Sequence, residues 1–159
     1  FKDEKGNNII ETDSQKWDNE FDKFYYLQEP EELLKSQCGV CWDQVELERQ
    51  LFNENNIPTK TYFIYFENNG MLPSHTFLVY ISNNKYYWFE HSWYKERGIH
   101  EYNNLDELLL DVQNKFMIDH KNTKGTLYLY EYRKPKKHIK CMAFYDYIST
   151  QKLIKKEVI

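Results

Sequence analysis

The chain has 159 residues, of which 41% are hydrophobic and 29% are charged, and its formal net charge is −4. This balance predicts one folded domain and excludes the low-hydrophobicity, high-charge composition of disordered proteins. Because the chain is acidic and has no run of about 18 apolar residues, we expect neither nucleic acid nor a membrane as a partner. Three cysteines are too few, and odd in number, for a disulfide scaffold, so we expect a reducing, cytoplasmic compartment.

The N-terminal third predicts a tail followed by helices. Residues 1–19 predict a polar tail or arm, and residues 20–159 predict a single domain. From Glu20 onward, the spacing of Phe21 and Phe24 predicts one short helix. Pro30 predicts the first turn of a second helix, since proline is favoured there.

A third helix is predicted to begin at Cys41. On a helix, Cys41, Val45 and Phe52 fall on one stripe, while Leu47 and Leu51 form a second stripe on a roughly opposite side. Because this helix would be apolar on two sides, we expect it to be central, with Cys41 at its N-terminus.

The rest of the chain predicts mainly strands. Aromatic and β-branched runs over residues 60–67, 75–82 and 85–91, separated by asparagine-rich turns, predict an antiparallel meander. An amphipathic helix follows over 105–116, then a strand over 126–132 and a helix near 142–147. The order of helices first, then a sheet interrupted by one helix, predicts an α+β fold.

Cys41 is the first candidate for chemistry, because the unpaired N–H groups of a helix N-terminus stabilise an anion such as a thiolate. A thiolate nucleophile requires a histidine to shuttle the proton, and that histidine requires an acid or amide to orient it. The predicted strands offer such a pair.

The hairpin over residues 75–91 supplies the pair. If Asn83 and Asn84 form a two-residue turn, His75 and Glu90 lie on one face as diagonal neighbours, with backbones roughly 7–8 Å apart. His91 then points to the other face. The hairpin thus selects His75 over His91, although a register slip of one residue would reverse the choice.

Three short segments carry a resemblance to a known family. Gly-Val-Cys-Trp over residues 39–42 precedes a helix, Ser-His-Thr-Phe-Leu over 74–78 opens a strand, and Trp-Phe-Glu-His-Ser over 88–92 follows on the next strand. The order of cysteine, histidine and acid on these elements resembles the transglutaminase-like superfamily of papain-type cysteine enzymes. The resemblance covers residues 38–93.

The resemblance implies a papain/transglutaminase-like fold, with N-terminal helices packed on an antiparallel sheet and the nucleophile at the start of a central helix. It also implies acyl transfer or hydrolysis on a protein or peptide amide, with Cys41 as nucleophile, His75 as acid and base, and Glu90 as the orienting acid. The family's usual acid is aspartate, so glutamate here is a departure. We expect a protein or peptide substrate, no cofactor and no metal.

Further roles follow less directly. Trp42, Trp88 and Trp93 are candidate walls of a substrate groove, or else core aromatics. The oxyanion of the reaction would bind the backbone N–H of Cys41 and one further donor. Candidates for that donor are Gln37, Gln44, Trp42 and an upstream tyrosine.

Three alternatives stay open. The chain is a non-catalytic protein-binding domain of the same fold, or a thioredoxin-like redox protein that uses Cys38 and Cys41, with a cis bond before Pro73. The third is a zinc site completed by Cys141 and a histidine. The basic cluster over residues 133–140 predicts a solvated loop.

Overall fold

The computed structural model describes residues 1–10, 14–70, 72–120, 124–134 and 144–159. Its helices are α1 (Ser14–Phe24), α2 (Pro30–Ser36), α3 (Cys41–Glu54), α4 (Leu105–Asp119) and α5 (Phe144–Ser149). Within these residues, no helix combines the length and the apolarity needed to cross a membrane. Cys141 and most of the basic cluster, over residues 135–140, lie outside the described residues.

A six-stranded sheet forms the centre of the molecule. Its strands are β1 (Thr59–Glu67), β2 (Ser74–Ser82), β3 (Lys85–Glu90), β4 (Gly98–Tyr102), β5 (Thr126–Glu131) and β6 (Lys152–Val158). They lie in the order β4-β3-β2-β1-β5-β6, and each neighbouring pair is antiparallel. The predicted α+β fold with helices packed on an antiparallel sheet is confirmed.

Helices cover both faces of this sheet. On one face, Phe77, Val79 and Trp88 pack in a cluster with Val112 and Phe116 of α4. On the other face, a second cluster joins the sheet to α1, α3 and α5. Strand β1 lies between the two clusters, so residues 61–66 are buried without interruption instead of alternating.

Polar contacts help to attach α3 to the sheet, which differs from the predicted pattern. The expected second apolar stripe is wrong, because Leu51 is 50% exposed while Glu46 is buried. The Glu46 carboxylate pairs with Arg49 at 3.1 Å, and the Arg49 guanidinium donates to Thr61 Oγ1 on β1 at 3.0 Å. Through this ion pair, polar groups of α3 contact β1 in place of a second apolar stripe.

The N-terminal residues pack on the same core as α3. Phe1 and Ile9 are buried, and the Phe1 ring contacts the rings of Trp17 and Phe21 with centroids 5.1 and 5.3 Å apart. Helix α1 begins at Ser14, before the predicted start at Glu20, so the boundary predicted after residue 19 falls inside this helix.

A two-residue turn fixes the pairing of β2 with β3. Asn83 and Asn84 both have positive φ, at 50° and 59°, as a type I′ turn requires. Asparagine tolerates this left-handed conformation better than most residues. The turn pairs Ser82 with Lys85, as predicted, and this register runs to the pair of Leu78 with Phe89.

The packing of α4 predicts a large effect of Phe116→Ala. Phe116 is 1% exposed beneath the sheet, so its truncation should lower the free energy of unfolding by about 3–5 kcal/mol in urea denaturation. The matched control is Ile118→Ala on the same helix, where the side chain is 76% exposed and the change should stay within about 0.5 kcal/mol. Equal effects would contradict the placement of α4.

Candidate active site

Cys41 lies at the first position of α3, after a short connection from α2. Helix α2 ends where Gln37 takes a left-handed conformation and its N–H donates to the Leu33 carbonyl at 2.8 Å. Cys41 is half-buried, and its position leaves the free N–H groups of the helix N-terminus around the thiol. The predicted placement of Cys41 at the start of a central helix is confirmed.

The Asp43 carboxylate anchors this helix start. Its Oδ2 accepts the Val40 N–H at 2.7 Å, and its Oδ1 accepts the Gln28 N–H at 2.8 Å and the Tyr25 hydroxyl at 3.4 Å. Asp43 is fully buried, and burial raises its pKa to about 6, although the two backbone N–H groups act in the opposite direction. Asp43 therefore joins the segment before α2 to the start of α3, where Cys41 lies.

Gln28 and Gly39 fix the connection between α2 and α3. The Gln28 side chain donates to the Cys38 carbonyl at 2.8 Å and accepts from the Ser36 hydroxyl at 2.7 Å. Gly39 lies so close to Leu33 and Asp43 that a Cβ atom there would collide with both side chains. A side chain at position 39 would therefore require Leu33 and Asp43 to shift.

The hairpin brings His75 and Glu90 together. His75 Nε2 and Glu90 Oε2 are 2.8 Å apart, and both side chains are buried. His91, the neighbour that the predicted register turned away, is exposed. The one-methylene-longer glutamate therefore reaches the histidine from its diagonal position on β3.

Four groups besides His75 hold the Glu90 carboxylate. Oε1 accepts the N–H groups of Ser92 and Trp93 at 2.8 and 2.7 Å, and the Ser92 hydroxyl at 3.2 Å. Oε2 also accepts Trp88 Nε1–H at 3.1 Å. Burial favours the neutral acid, but the hydrogen bonds and the positive charge of His75 outweigh it, so the pKa of Glu90 is lowered.

Cys41 acts on the same imidazole. Burial disfavours the charged ring, but hydrogen bonding to Cys41 and Glu90 and their negative charges outweigh burial, so the pKa of His75 is raised above 6.5. The structure thus brings Cys41, His75 and Glu90 into one interacting group.

The three tryptophans predicted to line a groove differ in exposure. Trp88 is fully buried and touches Glu90, which does not fit a groove wall. Trp42 is 8% exposed and stacks on Tyr147 with centroids 4.2 Å apart. Trp93 is half-buried, and its ring meets the His75 ring edge-on at 5.4 Å, so it is the tryptophan placed to border the site.

Three groups in the site have roles that were not predicted from the sequence: Trp88, Asp43 and Gln28. Trp88 lies two residues before Glu90 and so on the same face of β3, a signal that could have identified it as a donor. An acid at the third position of a predicted helix could likewise have identified Asp43. Gln28, by contrast, carries no such signal, because its role depends on the path of the chain around α2.

The redox and zinc alternatives gain no support from the described residues. Cys38 and Cys41 are free thiols, and the peptide bond before Pro73 is trans. The element before Cys38 is helix α2, whereas a thioredoxin-like motif follows a strand. Cys141, which a zinc site would need, lies outside the described residues.

Residues 2–113 match the family model described as a transglutaminase-like domain. The match includes Cys41, His75 and Glu90 and ends within α4. No curated protein matches the chain.

The Asp43 anchor predicts a loss of stability in Asp43→Asn. An amide offers one oxygen, so one of the N–H groups of Gln28 and Val40 would face an NH₂ group without an acceptor. We expect the free energy of unfolding to fall by about 1–3 kcal/mol in urea denaturation. Glu54→Gln, at the exposed end of α3, is the control; a similar loss there would contradict a specific anchor.

Proposed function

The chain belongs to the transglutaminase-like domain family, and we propose that it is an enzyme that transfers or hydrolyses an acyl group of a protein or peptide amide through a cysteine thioester. The resemblance that the sequence motifs indicated is thereby confirmed at the level of the family. One observation carries the proposal of catalysis: the His75 imidazole contacts Glu90 through Nε2 and also hydrogen-bonds to the Cys41 thiol.

In the proposed first half-reaction, the Cys41 thiolate attacks the amide carbonyl and forms a C–S bond. The carbonyl π-electrons move to oxygen, where the backbone N–H of Cys41 stabilises the oxyanion. Trp42 Nε1–H is the second candidate donor, since it is buried and has no acceptor among the described residues. As the C–N bond breaks, His75 gives its proton to the leaving nitrogen, and a thioester remains.

In the second half-reaction, His75 takes a proton from water or from an amine as that nucleophile attacks the thioester. The C–S bond breaks, the thiolate of Cys41 returns, and the imidazolium of His75 is restored. Water gives hydrolysis or deamidation, and an amine gives cross-linking. Both outcomes use the same three residues.

Glu90 would orient His75 and support its positive charge. Its carboxylate is held in place by Ser92, Trp93 and Trp88, so that the imidazole is held in turn. This rigidity supports the assignment of an orienting role, because a loosely held acid could not fix the direction of the ring. Trp93, half-buried against His75, is the proposed wall of the substrate site.

The proposed pairing predicts unusual reactivity of Cys41. An ordinary thiol is only about 0.3% ionised at pH 6, whereas a thiolate paired with the His75 imidazolium reacts at that pH. We expect iodoacetamide to alkylate Cys41 at pH 5–6, and His75→Ala to slow this by about tenfold or more. Peptide-resolved mass spectrometry across pH 5 to 9 measures the rates.

Buried Cys38 serves as the internal control in the same experiment. If Cys41 is labelled no faster than Cys38 and does not respond to His75→Ala, the enzyme proposal fails. The non-catalytic binding domain would then be the better account.

The Glu90 contact predicts a second effect. In Glu90→Gln the negative charge that supports the His75 imidazolium is gone, so the pKa of His75 should fall. As that pKa falls, less imidazolium is present to stabilise the Cys41 thiolate, so the onset of rapid Cys41 alkylation should move toward alkaline pH. Glu101→Gln on β4 is the control, because that carboxylate is exposed and pairs with Lys85.

A charge-preserving variant completes the test. Glu90→Asp retains the charge but shortens the side chain by one methylene, so it should weaken the contact with His75 Nε2. We expect alkylation intermediate between wild type and Glu90→Gln. Identical behaviour of wild type and both variants would refute an orienting role for Glu90.

A further inference from the structure

Glu48 is a buried carboxyl group that the proposed mechanism does not use. It lies on α3 two turns after Cys41 and is 8% exposed. With Gln44 of α3 and with Thr76, Glu90 and Ser92 from the sheet side, it lines a shallow recess next to the His75–Glu90 pair. Within the described part of the chain, no group hydrogen-bonds to the Glu48 carboxyl or forms an ion pair with it.

The other buried carboxyl groups of α3 have partners. Asp43 accepts two backbone N–H groups and a hydroxyl, and Glu46 pairs with Arg49. A buried acid without a partner is costly, and an apolar side chain would be cheaper at this position. Yet Leu51, one turn later, is half-exposed while Glu48 is buried.

The surroundings of Glu48 determine when it ionises. Burial raises its pKa to about 8, the negative charge of Glu90 acts in the same direction, and the positive charge of His75 opposes both. Glu48 is therefore neutral at neutral pH and gains its charge in the mildly alkaline range.

We propose that Glu48, buried beside Glu90 in this recess, is a positioning residue for the proton of His75: its negative charge holds the imidazolium against loss of the proton. This inference rests on the proposed function. Its physical basis is reciprocity, because the charge of His75 favours ionised Glu48 and ionised Glu48 therefore favours charged His75 by an equal amount. The result is an extended alkaline range of the Cys41–His75 pair.

Other charges near α3 act less directly on Glu48. Exposed His91 lines the same recess beyond β3. On α2, the charged side chains are exposed at Glu31, Glu32 and Lys35, and on β1 Lys60 is exposed. His75 and Glu90 are thus the charged groups that act on Glu48 from within the protein.

The test replaces Glu48 by glutamine, which keeps the shape and removes the charge. The His75 ring signals are followed by NMR from pH 6 to 10 and assigned by their absence in His75→Ala. In Glu48→Gln, we expect the titration midpoint of His75 to fall by about 0.5–1 pH unit. Glu46→Gln, on the same helix but paired with Arg49, should leave the midpoint unchanged.

Urea denaturation supplies a second measurement. Glu48 has a pKa of 4.5 in the unfolded chain and about 8 in the folded protein. As the pH rises between these two values, the free energy of unfolding falls, because the unfolded chain ionises more readily than the native state. The glutamine of Glu48→Gln does not ionise, so the urea midpoint of this variant should rise relative to that of wild type as the pH increases from 5 to 8.5. No gain would overturn the assignment of a neutral Glu48 at neutral pH.

The outcomes separate this inference from the proposed function. If the His75 midpoint does not move in Glu48→Gln, or moves as much in Glu46→Gln, the positioning role is overturned. If the midpoint falls as expected but Cys41 is unreactive in wild type, the proposed catalysis fails while the coupling of Glu48 to His75 stands.

Discussion

The register of the β2–β3 hairpin is the constraint on which the candidate site depends. Side chains alternate along a strand, so a slip of one residue would move His75 and Glu90 to different faces. Two asparagines with positive φ close the hairpin and fix the register at the far end of the strands from the site. The carboxylate is then locked by donors from its own strand and the following loop, and the imidazole direction follows from that lock.

Helix α3 is held by polar contacts of its buried side chains as well as by apolar packing. At its start, Asp43 collects backbone donors from two segments and fixes where the thiol emerges. Farther along, Glu46 and Arg49 reach β1. Because these contacts are directional, they fix the rotation of the helix about its axis more tightly than apolar packing alone would. That rotation determines which groups Cys41 faces.

The sequence was sufficient where a local rule determines the structure. The start of α3, the Asn83–Asn84 turn and the pairing of His75 with Glu90 all follow from spacing and turn chemistry. It was insufficient where tertiary contacts decide. Strand β6 is rich in lysine and exposed on both faces, so no alternation of apolar and polar residues marks it. The buried carboxyl groups of α3 depend on contacts distant in sequence, such as the hydrogen bond of Gln28 to Asp43 and the hydrogen bond of Thr61 to Arg49, the partner of Glu46.

Strands β5 and β6 and helix α5 have a consequence for what counts as the folding unit. The family match ends at residue 113, yet β5 pairs with β1 and Tyr147 of α5 stacks on Trp42, next to Cys41. A fragment that ended at that boundary would lack β5, so β1, the most deeply buried strand, would become an edge strand with unpaired backbone groups. Such an exposed edge promotes aggregation. The motifs of the candidate site are therefore contained in the matched region, but the folding of that region requires the strands that complete the sheet beyond it.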